Sequence, residues 1–355
     1  MAHLFNKDLA KDEILQHIGS VNQIAGAKVY KYLEGKADGV KAVGVKTGSG
    51  FNFTVLADRC MDIAEVEYCG KPLAWISKNN IVAPAYYECK GEGWCRSFTG
   101  GMITTCGLTH TGLECTDEGE EFGLNGRVAN LPAERFSVDE LWEGDDFLIK
   151  IKGRVRQSNV LGENLVLTRE ISCRMGESKL TVNDVIENEG FDKTPFMFMY
   201  HINFGYPVVS EHSKLFSTPA GVEPWIGNAK FGNGLYDHFQ KPTQGYEFEN
   251  FLHYVPVETE RAYFGIINEE MEFGGYIAYS PKQLPAFNQW KMMGQQDYAV
   301  GLEPASAIPE GRADAKKKGT LRYLDPGEKF ETSLEIGVLK DKDDIIDFKE
   351  KCNSA

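Results

Sequence analysis

Short runs of alternating apolar and polar residues recur along the chain between residues 27 and 324. They include FNFTVLADR, FLIKIKGRVRQ, LVLTREISCRM, FMFMYHINFG and FNQWKMM, and they are bounded by glycine, aspartate and asparagine. A period of two is typical of strands that bury one face. Long stretches with helical periodicity are missing from this part of the sequence. The pattern therefore predicts an all-β, mainly antiparallel protein.

Helical spacing is found only near the two ends. The segment Lys7–His17 spaces its apolar residues roughly as a helix does, which predicts a short peripheral helix within residues 1–20. The segment DKDDIIDFKEKC predicts a second helix within residues 341–355, with Asp341 as its N-cap. No linker, repeat or low-complexity tract interrupts the sequence, so we expect residues 1–355 to form a single domain.

Two long segments, residues 81–116 and 218–245, lack the strand pattern and are rich in glycine and aromatic residues. Long loops of this composition on a β scaffold are where binding sites are usually built. Tryptophans at positions 94, 225 and 290 suit stacking on sugar rings, although filling of the core is an equally good interpretation.

Composition narrows the range of partners. The formal net charge is -14 and the sequence pI is about 5.1, so nucleic acid and anionic membrane surfaces are poor candidates. The eight cysteines form no C-x-x-C pair, which argues against a structural zinc site. The chain opens without an apolar leader, and no apolar run reaches the roughly 20 residues of a membrane span. We expect a cytoplasmic protein with reduced thiols.

His201 lies inside MFMYHINFGYP, an otherwise apolar strand. Alternation places Met197, Met199, His201 and Asn203 on one face of it. A polar pair on such a strand needs hydrogen-bond partners or a cavity. His201 is therefore either a satisfied core histidine or part of a site.

Carboxylates and basic residues give three further candidates. Glu303 in YAVGLEPAS ends a short apolar strand just before a proline, where it is either an ordinary charge or an acid pointing into a cleft. Arg59, with acids on both sides in VLADRCMDI, fits a structural ion pair as well as a sugar clamp. Lys291 in FNQWKMM shares a strand face with Gln289 and is either solvated or a base. No nucleophile elbow, P-loop, H-E-x-x-H motif or dinucleotide fingerprint is present.

The motifs VLADRCMDI, SFTGGMITTCGLTHTG, LNGRVANLPAE, YHINFGYP and GLEPA, in this order between about residues 50 and 305, resemble the galactose mutarotase-like superfamily. Within it, the chain resembles the branch of aldose 1-epimerase-family proteins with unassigned substrate. This resemblance implies a β-supersandwich, with large twisted antiparallel sheets around a cleft that is open at one side and short helices at the periphery. It also implies a small-molecule sugar as partner, no cofactor and no metal.

The resemblance further implies a general acid at His201 and a general base at Glu303. A supporting histidine matches His110, and a sugar-contacting arginine matches Arg59 or Arg127. Asn203 and Lys291 complete the set of expected sugar contacts. Where this branch leads us to expect a histidine before Gly-Arg, the chain has an asparagine at position 125.

Anomer interconversion needs one base and one acid, so a carboxylate and an imidazole suffice without metal or redox cofactor. We expect an ionised Glu303 beside a protonated His201, since mutual attraction favours that pairing. Two alternatives stay open. One is a non-catalytic sugar-binding or sensing protein on the same fold, and the other is a different carbohydrate enzyme, such as a lyase or an epimerase at another carbon, with Lys291 as its extra base. We expect a monomer or a homodimer.

Overall fold

A computed structural model describes residues 1–227 and 235–354 of the chain. The first strands are β1 Ala2–Leu4, β2 Lys7–Leu9, β3 Gly26–Lys31, β4 Lys41–Lys46, β5 Phe51–Leu56, β6 Asp62–Tyr68, β7 Lys71–Pro72, β8 Thr104–Leu108, β9 Cys115–Asp117 and β10 Glu120–Phe122. The following strands are β11 Ala133–Glu143, β12 Asp146–Ser158, β13 Asn164–Arg174, β14 Lys179–Asn188, β15 Thr194–Phe204, β16 Ser213–Ser217 and β17 Gly221–Gly227. The last strands are β18 Glu249–Tyr254, β19 Ala262–Asn268, β20 Phe273–Tyr279, β21 Ala286–Met293, β22 Tyr298–Ala305, β23 Arg322–Leu324 and β24 Lys329–Leu339.

Helices are few and short. The α-helices are α1 Lys11–Leu15, α2 Arg312–Lys318 and α3 Lys342–Ser354, and 3-10 helices cover Val21–Gln23, Gly35–Ala37, Pro84–Tyr86, Gly91–Arg96 and Val128–Asn130. No helix within the described ranges is long and apolar enough to cross a membrane.

Two large antiparallel sheets form a sandwich. One has eight strands in the order β11-β12-β13-β14-β24-β20-β19-β16, and the other runs β17-β18-β21-β22-β15-β23, with β8 also paired to β15. A third sheet, β3 to β7, and the hairpins β1-β2 and β9-β10 complete the structure. The all-β antiparallel architecture predicted from the alternation is confirmed.

The inner faces of the two large sheets meet in a continuous core. Phe264 of β19 stacks on Phe287 of β21 with ring centroids 3.8 Å apart. Tyr200 of β15 donates a hydrogen bond to Asp184 of β14 over 2.7 Å, and Arg169 of β13 binds the same carboxylate through two nitrogens. Because β15 turns Tyr200 toward this core, alternation turns the neighbouring His201 to the other face of the sheet.

The N-terminal prediction is confirmed in type, since a short helix lies within residues 1–20, but the helix is shorter than the predicted segment Lys7–His17. Residues 2–9 form a β-hairpin, and the helix that follows is only the five residues of α1. Phe5 and Asn6 adopt φ values of 53° and 61°, the left-handed pair that a tight two-residue hairpin requires. At the other end α3 confirms the predicted helix, since Asp344 N donates to the Asp341 side chain over 3.0 Å.

Strands also form within the two segments expected to lack them. Segment 218–245 contains β17, and its residues 228–234 lie outside the described residues. Segment 81–116, expected to be loop, contains β8, which pairs with β15 over five residues. Its sequence, TTCGL, is buried throughout and carries no polar alternation. A strand covered on both faces loses the period that identifies strands.

Candidate active site

His201 and Glu303 lie side by side on neighbouring strands of the second sheet. The register that pairs Met199 with Ala305 and Asn203 with Gly301 places His201 of β15 opposite Glu303 of β22. The imidazole Nε2 is 3.1 Å from the carboxylate Oε1. Their side chains are only 9% and 3% exposed. We call these two residues the acid–base pair.

Asparagines flank the pair on both sides. Asn288 of β21 is the cross-strand neighbour of Glu303, and its Nδ2 donates to Oε2 over 2.6 Å. Asn203, two residues beyond His201 on the same face of β15, donates from Nδ2 to the carbonyl oxygens of Gly101 and His201 over 2.9 and 3.0 Å. Asn203 was predicted to contact sugar, but its amide hydrogens are used within the protein.

Burial dominates the ionisation of the pair. Desolvation lowers the pKa of His201 to about 4, against a smaller rise caused by Asn203. Desolvation also raises the pKa of Glu303 to about 8, against a smaller lowering by the hydrogen bond from Asn288. Between these values the pair holds one proton, and burial favours its location on the carboxyl. The sequence-based expectation, an ionised Glu303 beside a protonated His201, is the opposite distribution of the same proton.

Aromatic rings enclose the imidazole. Trp94 and Phe98 stack with centroids 4.3 Å apart, and Phe98 and Trp290 present their rings edgewise to His201 at 5.2 and 5.6 Å. Trp75 packs against both Phe98 and Trp290. Trp75 and Trp290 are half-buried, whereas Trp94 and Phe98 are buried, so the solvent-facing side of this aromatic wall is formed by Trp75 and Trp290. Trp225 lies in β17 and is also half-buried.

Arg59 braces loops instead of facing the pair. Its guanidinium is buried and donates to three backbone carbonyls, those of Ala129 at 2.7 Å, Ser97 at 3.1 Å and Val82. Ser97 directly precedes Phe98 of the aromatic wall, so Arg59 supports that wall from behind. These bonds occupy Arg59 structurally, and we do not include it among the sugar contacts.

The acids beside Arg59 are also structural. Asp58 accepts a hydrogen bond from the backbone N of Lys41 over 2.8 Å. Asp62 accepts from the backbone N of Thr105 and pairs with Arg169, both over 3.0 Å. The VLADRCMDI motif therefore connects sheets and loops, although the ion pair expected between Arg59 and its neighbouring acids is replaced by the pair of Asp62 with Arg169.

His110 caps a helix. Its Nδ1 accepts a hydrogen bond from the backbone N of Arg312, the first residue of α2, over 3.2 Å. The ring also contacts Phe122 and lies 3.8 Å from the Cys115 sulfur. Burial, followed by the charge of Arg312, lowers the pKa of His110 to about 4, so the ring is neutral. Its contacts explain the residue without a role at the pair.

Arg127 remains a candidate at the edge of the site. Its side chain is 43% exposed and lies 3.5 Å from Glu120. The neighbouring Gly126 carbonyl accepts a hydrogen bond from Tyr87, and Tyr87 packs against the cluster that contains Trp94. The sugar contact predicted for Arg127 stays a prediction.

Asn125 holds a turn next to β8. Its φ of 58° is a left-handed conformation that asparagine tolerates better than most residues. The side-chain Oδ1 accepts from Gly112 N over 3.0 Å, and the backbone carbonyl accepts from Gly107 N over 3.2 Å. At this position, where a histidine was expected, Asn125 therefore stabilises the conformation of the turn.

Lys291 lies on the face of β21 that points away from the acid–base pair, so it does not fit the alternative of a carbohydrate enzyme that uses this lysine as an extra base. It shares a face with Gln289, as alternation predicted, but Asn288 bonds Glu303 on the opposite face. Lys291 is buried and pairs with Glu249 over 3.1 Å. The structure therefore does not bring this lysine to the acid–base pair. In the described part of the chain, no group of three or more His, Cys, Asp or Glu side chains could hold a metal ion.

Residues 37–338 match the model of a family described as a domain of unknown function, DUF4432. The chain belongs to this family. No curated protein matches its sequence.

Solved structures show the fold that this DUF4432 chain adopts. A Klebsiella pneumoniae protein, provisionally named an aldose 1-epimerase, is 24% identical with a TM-score of 0.86 over 92% of this chain and 86% of that one. A galactose mutarotase-like protein of Clostridium acetobutylicum is 11% identical with a TM-score of 0.62, covering 89% and 99%. Galactose 1-epimerase of Lactobacillus acidophilus is 13% identical with a TM-score of 0.57, covering 88% and 98%. The DUF4432 chain therefore has the galactose mutarotase-like fold that its motifs resemble.

Four residues of the site were not predicted: Asn288, Trp75, Phe98 and Gly301, whose missing side chain leaves room for the Glu303 carboxylate and the His201 ring. Gly301 could have been found, because it lies two residues before Glu303 and alternation puts it on the same face. Asn288 could not, because nothing in the sequence reveals which residue of β21 lies opposite Glu303. Trp75 and Phe98 belong to irregular segments whose path depends on the rest of the fold.

Proposed function

We propose that this DUF4432 protein binds a free sugar at the acid–base pair and interconverts its anomers, with Glu303 as general base and His201 as general acid. The observation that carries the proposal is the 3.1 Å separation of His201 Nε2 and Glu303 Oε1 in a buried setting. In a cyclic sugar, the two oxygens that exchange protons are bonded to the same carbon. The base and the acid must therefore lie next to each other, as these two groups do.

The reaction begins from the charged form of the pair. The Glu303 carboxylate removes the proton of the C1 hydroxyl, and protonated His201 gives its Nε2 proton to the ring oxygen. The bond between C1 and the ring oxygen breaks, its electron pair stays on that oxygen, and a carbonyl forms at C1. Rotation about the C1–C2 bond followed by the reverse transfers closes the ring on the other face and restores the pair.

The proton preference of the site fits this sequence of steps. Ring opening leaves the proton on Glu303 and a neutral His201, which is the distribution that burial favours. The site therefore stabilises the pair in the state that accompanies the open-chain sugar. Desolvation destabilises the charged form of the pair, which is the form that reacts with the cyclic sugar. Hydrogen bonds from the sugar hydroxyls would offset this loss of solvation.

The aromatic wall supports a sugar as the ligand. Trp75 and Trp290 present partly exposed rings beside the pair, and aromatic faces pack on the apolar faces of sugar rings. An aldose is the class suggested by the names of the proteins that share the fold, an aldose 1-epimerase and a galactose 1-epimerase.

A non-catalytic sugar-binding protein is the second candidate. The observation in its favour is that burial favours the neutral form of the pair, which can hydrogen-bond to sugar hydroxyls but is not the charged form from which the reaction begins. A lyase or an epimerase acting at another carbon is not supported, because Lys291 lies on the opposite sheet face and is paired with Glu249.

Saturation-exchange proton NMR on a panel of aldoses tests the proposal. We expect the wild type to speed anomer exchange of at least one aldose that binds, and Glu303→Gln to keep binding while exchange falls by roughly 10²-fold or more. Glu310→Gln is the matched control, a nearly buried carboxylate that pairs with Lys318, and it should retain exchange. Full exchange in Glu303→Gln would rule out this base, and binding without exchange in the wild type would favour the second candidate.

The cellular setting belongs to the same proposal. We propose a cytoplasmic protein that is a monomer or a homodimer. All eight cysteines are free in the structure, which is in keeping with a reducing compartment. Cell fractionation and light scattering at several protein concentrations test the two parts separately.

A further inference from the structure

The acid–base pair is covered on the face that a sugar has to reach. The side chains of His201 and Glu303 are 9% and 3% exposed. Within the described residues, His201 Nδ1, Asn203 Oδ1 and Asn288 Oδ1 are also buried without a hydrogen-bond partner. A sugar that meets both members of the pair has to pass this cover, so part of the cover must move before the sugar binds.

Two rings of the aromatic wall are fixed by sheet structure. Trp290 lies within β21, which pairs with β18 on one side and β22 on the other. The backbone N of Trp75 donates to the carbonyl of Asn203 over 2.9 Å, and the Trp75 carbonyl accepts from Gly101 N over 2.7 Å. Moving the backbone at either ring would break these hydrogen bonds, so this side of the cover is the rigid one.

Residues 83–96 form the other side of the cover and have no sheet pairing. They contain two 3-10 helices, Pro84–Tyr86 and Gly91–Arg96, and no strand. Trp94 of the second helix is buried, and its ring centroid is 6.1 Å from that of His201. This segment can therefore move away from the pair without disturbing a sheet.

The middle of the segment is attached to the rest of the molecule at its rim. Lys90 pairs with Glu121 of β10 over 2.8 Å, and these side chains are 77% and 63% exposed. The hydrogen bonds at the rim run from Leu124 N to Gly91 O at 3.1 Å, from Tyr87 Oη to Gly126 O at 2.9 Å and from Asn79 Nδ2 to Cys95 O at 2.7 Å. An exposed ion pair contributes little to stability, and a few hydrogen bonds can open locally while the core stays folded.

Arg59 holds both ends of the segment. Its buried guanidinium donates to the carbonyl of Val82, directly before the segment, and to that of Ser97, directly after it, over 3.1 Å in the second case. A third bond, to the carbonyl of Ala129 over 2.7 Å, connects the guanidinium to the body of the protein. A segment with fixed ends and a weakly attached middle can swing outward as a unit and return to the same place.

We propose that residues 83–96 are a lid over the acid–base pair, anchored at both ends by Arg59, and that a sugar enters and leaves the site when this lid opens. The effect of the lid on turnover rests on the proposed function, whereas its opening can be measured without any sugar. Opening of this kind often limits the rate of an enzyme whose chemistry takes place in a closed site.

Hydrogen exchange followed by NMR measures the opening in the free protein. The reporter is Leu124 N, because its bond to Gly91 O runs from the body to the lid. We expect this amide to exchange through local opening, much faster than the amides of β13. Arg59→Lys keeps the charge but loses the three-pronged contact, so exchange at Leu124 N should become roughly 10-fold faster while β13 is unchanged. Arg154→Lys, which alters a partly buried arginine paired with Glu189 in the first sheet, is the control and should leave Leu124 N unchanged.

A cross-link across the rim tests whether the lid is the entrance. Carbodiimide condenses a neighbouring amine and carboxylate into an amide, and Lys90 and Glu121 lie 2.8 Å apart. In protein shown by peptide mass spectrometry to carry this link, exchange at Leu124 N should become slower. Anomer exchange should fall by roughly 10-fold or more, because the sugar can no longer enter or leave freely. Glu121→Gln cannot form the link, and after the same treatment it is the matched control that should keep anomer exchange.

The outcomes separate the lid from the proposed function. If Leu124 N in the wild type exchanges as slowly as the amides of β13, the lid does not open and the inference fails, even if no variant folds. An unchanged Leu124 N in folded Arg59→Lys would overturn the anchoring role of Arg59. Linked protein that interconverts anomers as fast as the treated Glu121→Gln control would overturn the lid as an entrance. If the lid opens and the link slows its opening, but the wild type exchanges no aldose, the lid stands and the proposed reaction fails.

Discussion

Gly301 lies beside Glu303 so closely that a β-carbon on it would be 2.6 Å from the carboxylate Oε1. The same β-carbon would be 3.2 Å from Cε1 of His201 and 3.2 Å from the β-carbon of Trp290. The acid–base pair and part of the aromatic wall therefore occupy space that any other residue at position 301 would take.

We expect Gly301→Ala to displace the Glu303 carboxylate and lower exchange by roughly 10²-fold, because small misplacements of reacting groups are costly. The variant should still fold, since the clash is with the end of a side chain. Gly221→Ala, in the same sheet with no atom closer than 3.8 Å to its new β-carbon, is the control. Exchange kinetics and circular dichroism measure the two effects. Wild-type exchange in a folded Gly301→Ala protein would contradict the proposed geometry.

The two catalytic groups should act as one unit. His201→Asn and Glu303→Gln should each lower exchange by roughly 10²-fold or more, because each removes one of two coupled proton transfers. The double variant should be little slower than the worse single variant. A loss in the double variant equal to the product of the single losses would show that the residues act independently.

Exchange should depend on pH with a bell shape. Above about 8 the Glu303 carboxyl loses the shared proton and the pair has no acid. Below about 4 His201 gains a second proton and the pair has no base. The profile of kcat/KM should therefore fall on both sides of this window, with limbs that belong to the coupled pair. A flat profile across both values would contradict the assignment.

The free energy of unfolding of the wild type should depend on pH because of Glu303. Its pKa is raised from 4.5 to about 8 in the folded protein, so between these values the folded state binds more protons than the unfolded state. The contribution of this proton to the free energy of unfolding is fully present below about pH 4.5 and is lost as the pH rises through about 8. Between these pH values the free energy of unfolding falls by up to about 1.4 kcal/mol per pH unit. Glu303→Gln removes the titration. Denaturant unfolding at pH 5 to 8 should show the variant gaining stability relative to wild type as pH rises, and a constant difference would refute the shift.

Some of the site was predictable because it depends on local order along one strand. The alternation of β15 placed His201 and Asn203 on one face, and the structure has them there. The alternation of β21 likewise put Gln289 and Lys291 together. In each case the period of two is a property of the extended backbone, so neighbouring residues alone decide which side chains share a face.

The features that the sequence did not reveal depend on contacts between distant segments. The segment Lys7–His17 has a helix-like spacing, yet Lys7–Leu9 pairs with Ala2–Leu4 in a hairpin and only Lys11–Leu15 is an α-helix. Arg59 was a candidate sugar contact until the carbonyls of three separate loops were seen to surround it. His110 was another, until the start of α2 was found against its ring.

By itself the sequence determined the strand-rich class, the C-terminal helix, the polar positions within the apolar strands and a resemblance that named His201 and Glu303. Only the tertiary structure decided which face of each strand packs in the core and which residues of adjacent strands lie opposite each other. It thereby placed Asn288 beside Glu303 and Lys291 on the opposite side. The reason is physical: alternation fixes two faces for every strand, but the register and order of strands, set by packing over the whole core, determine which faces meet.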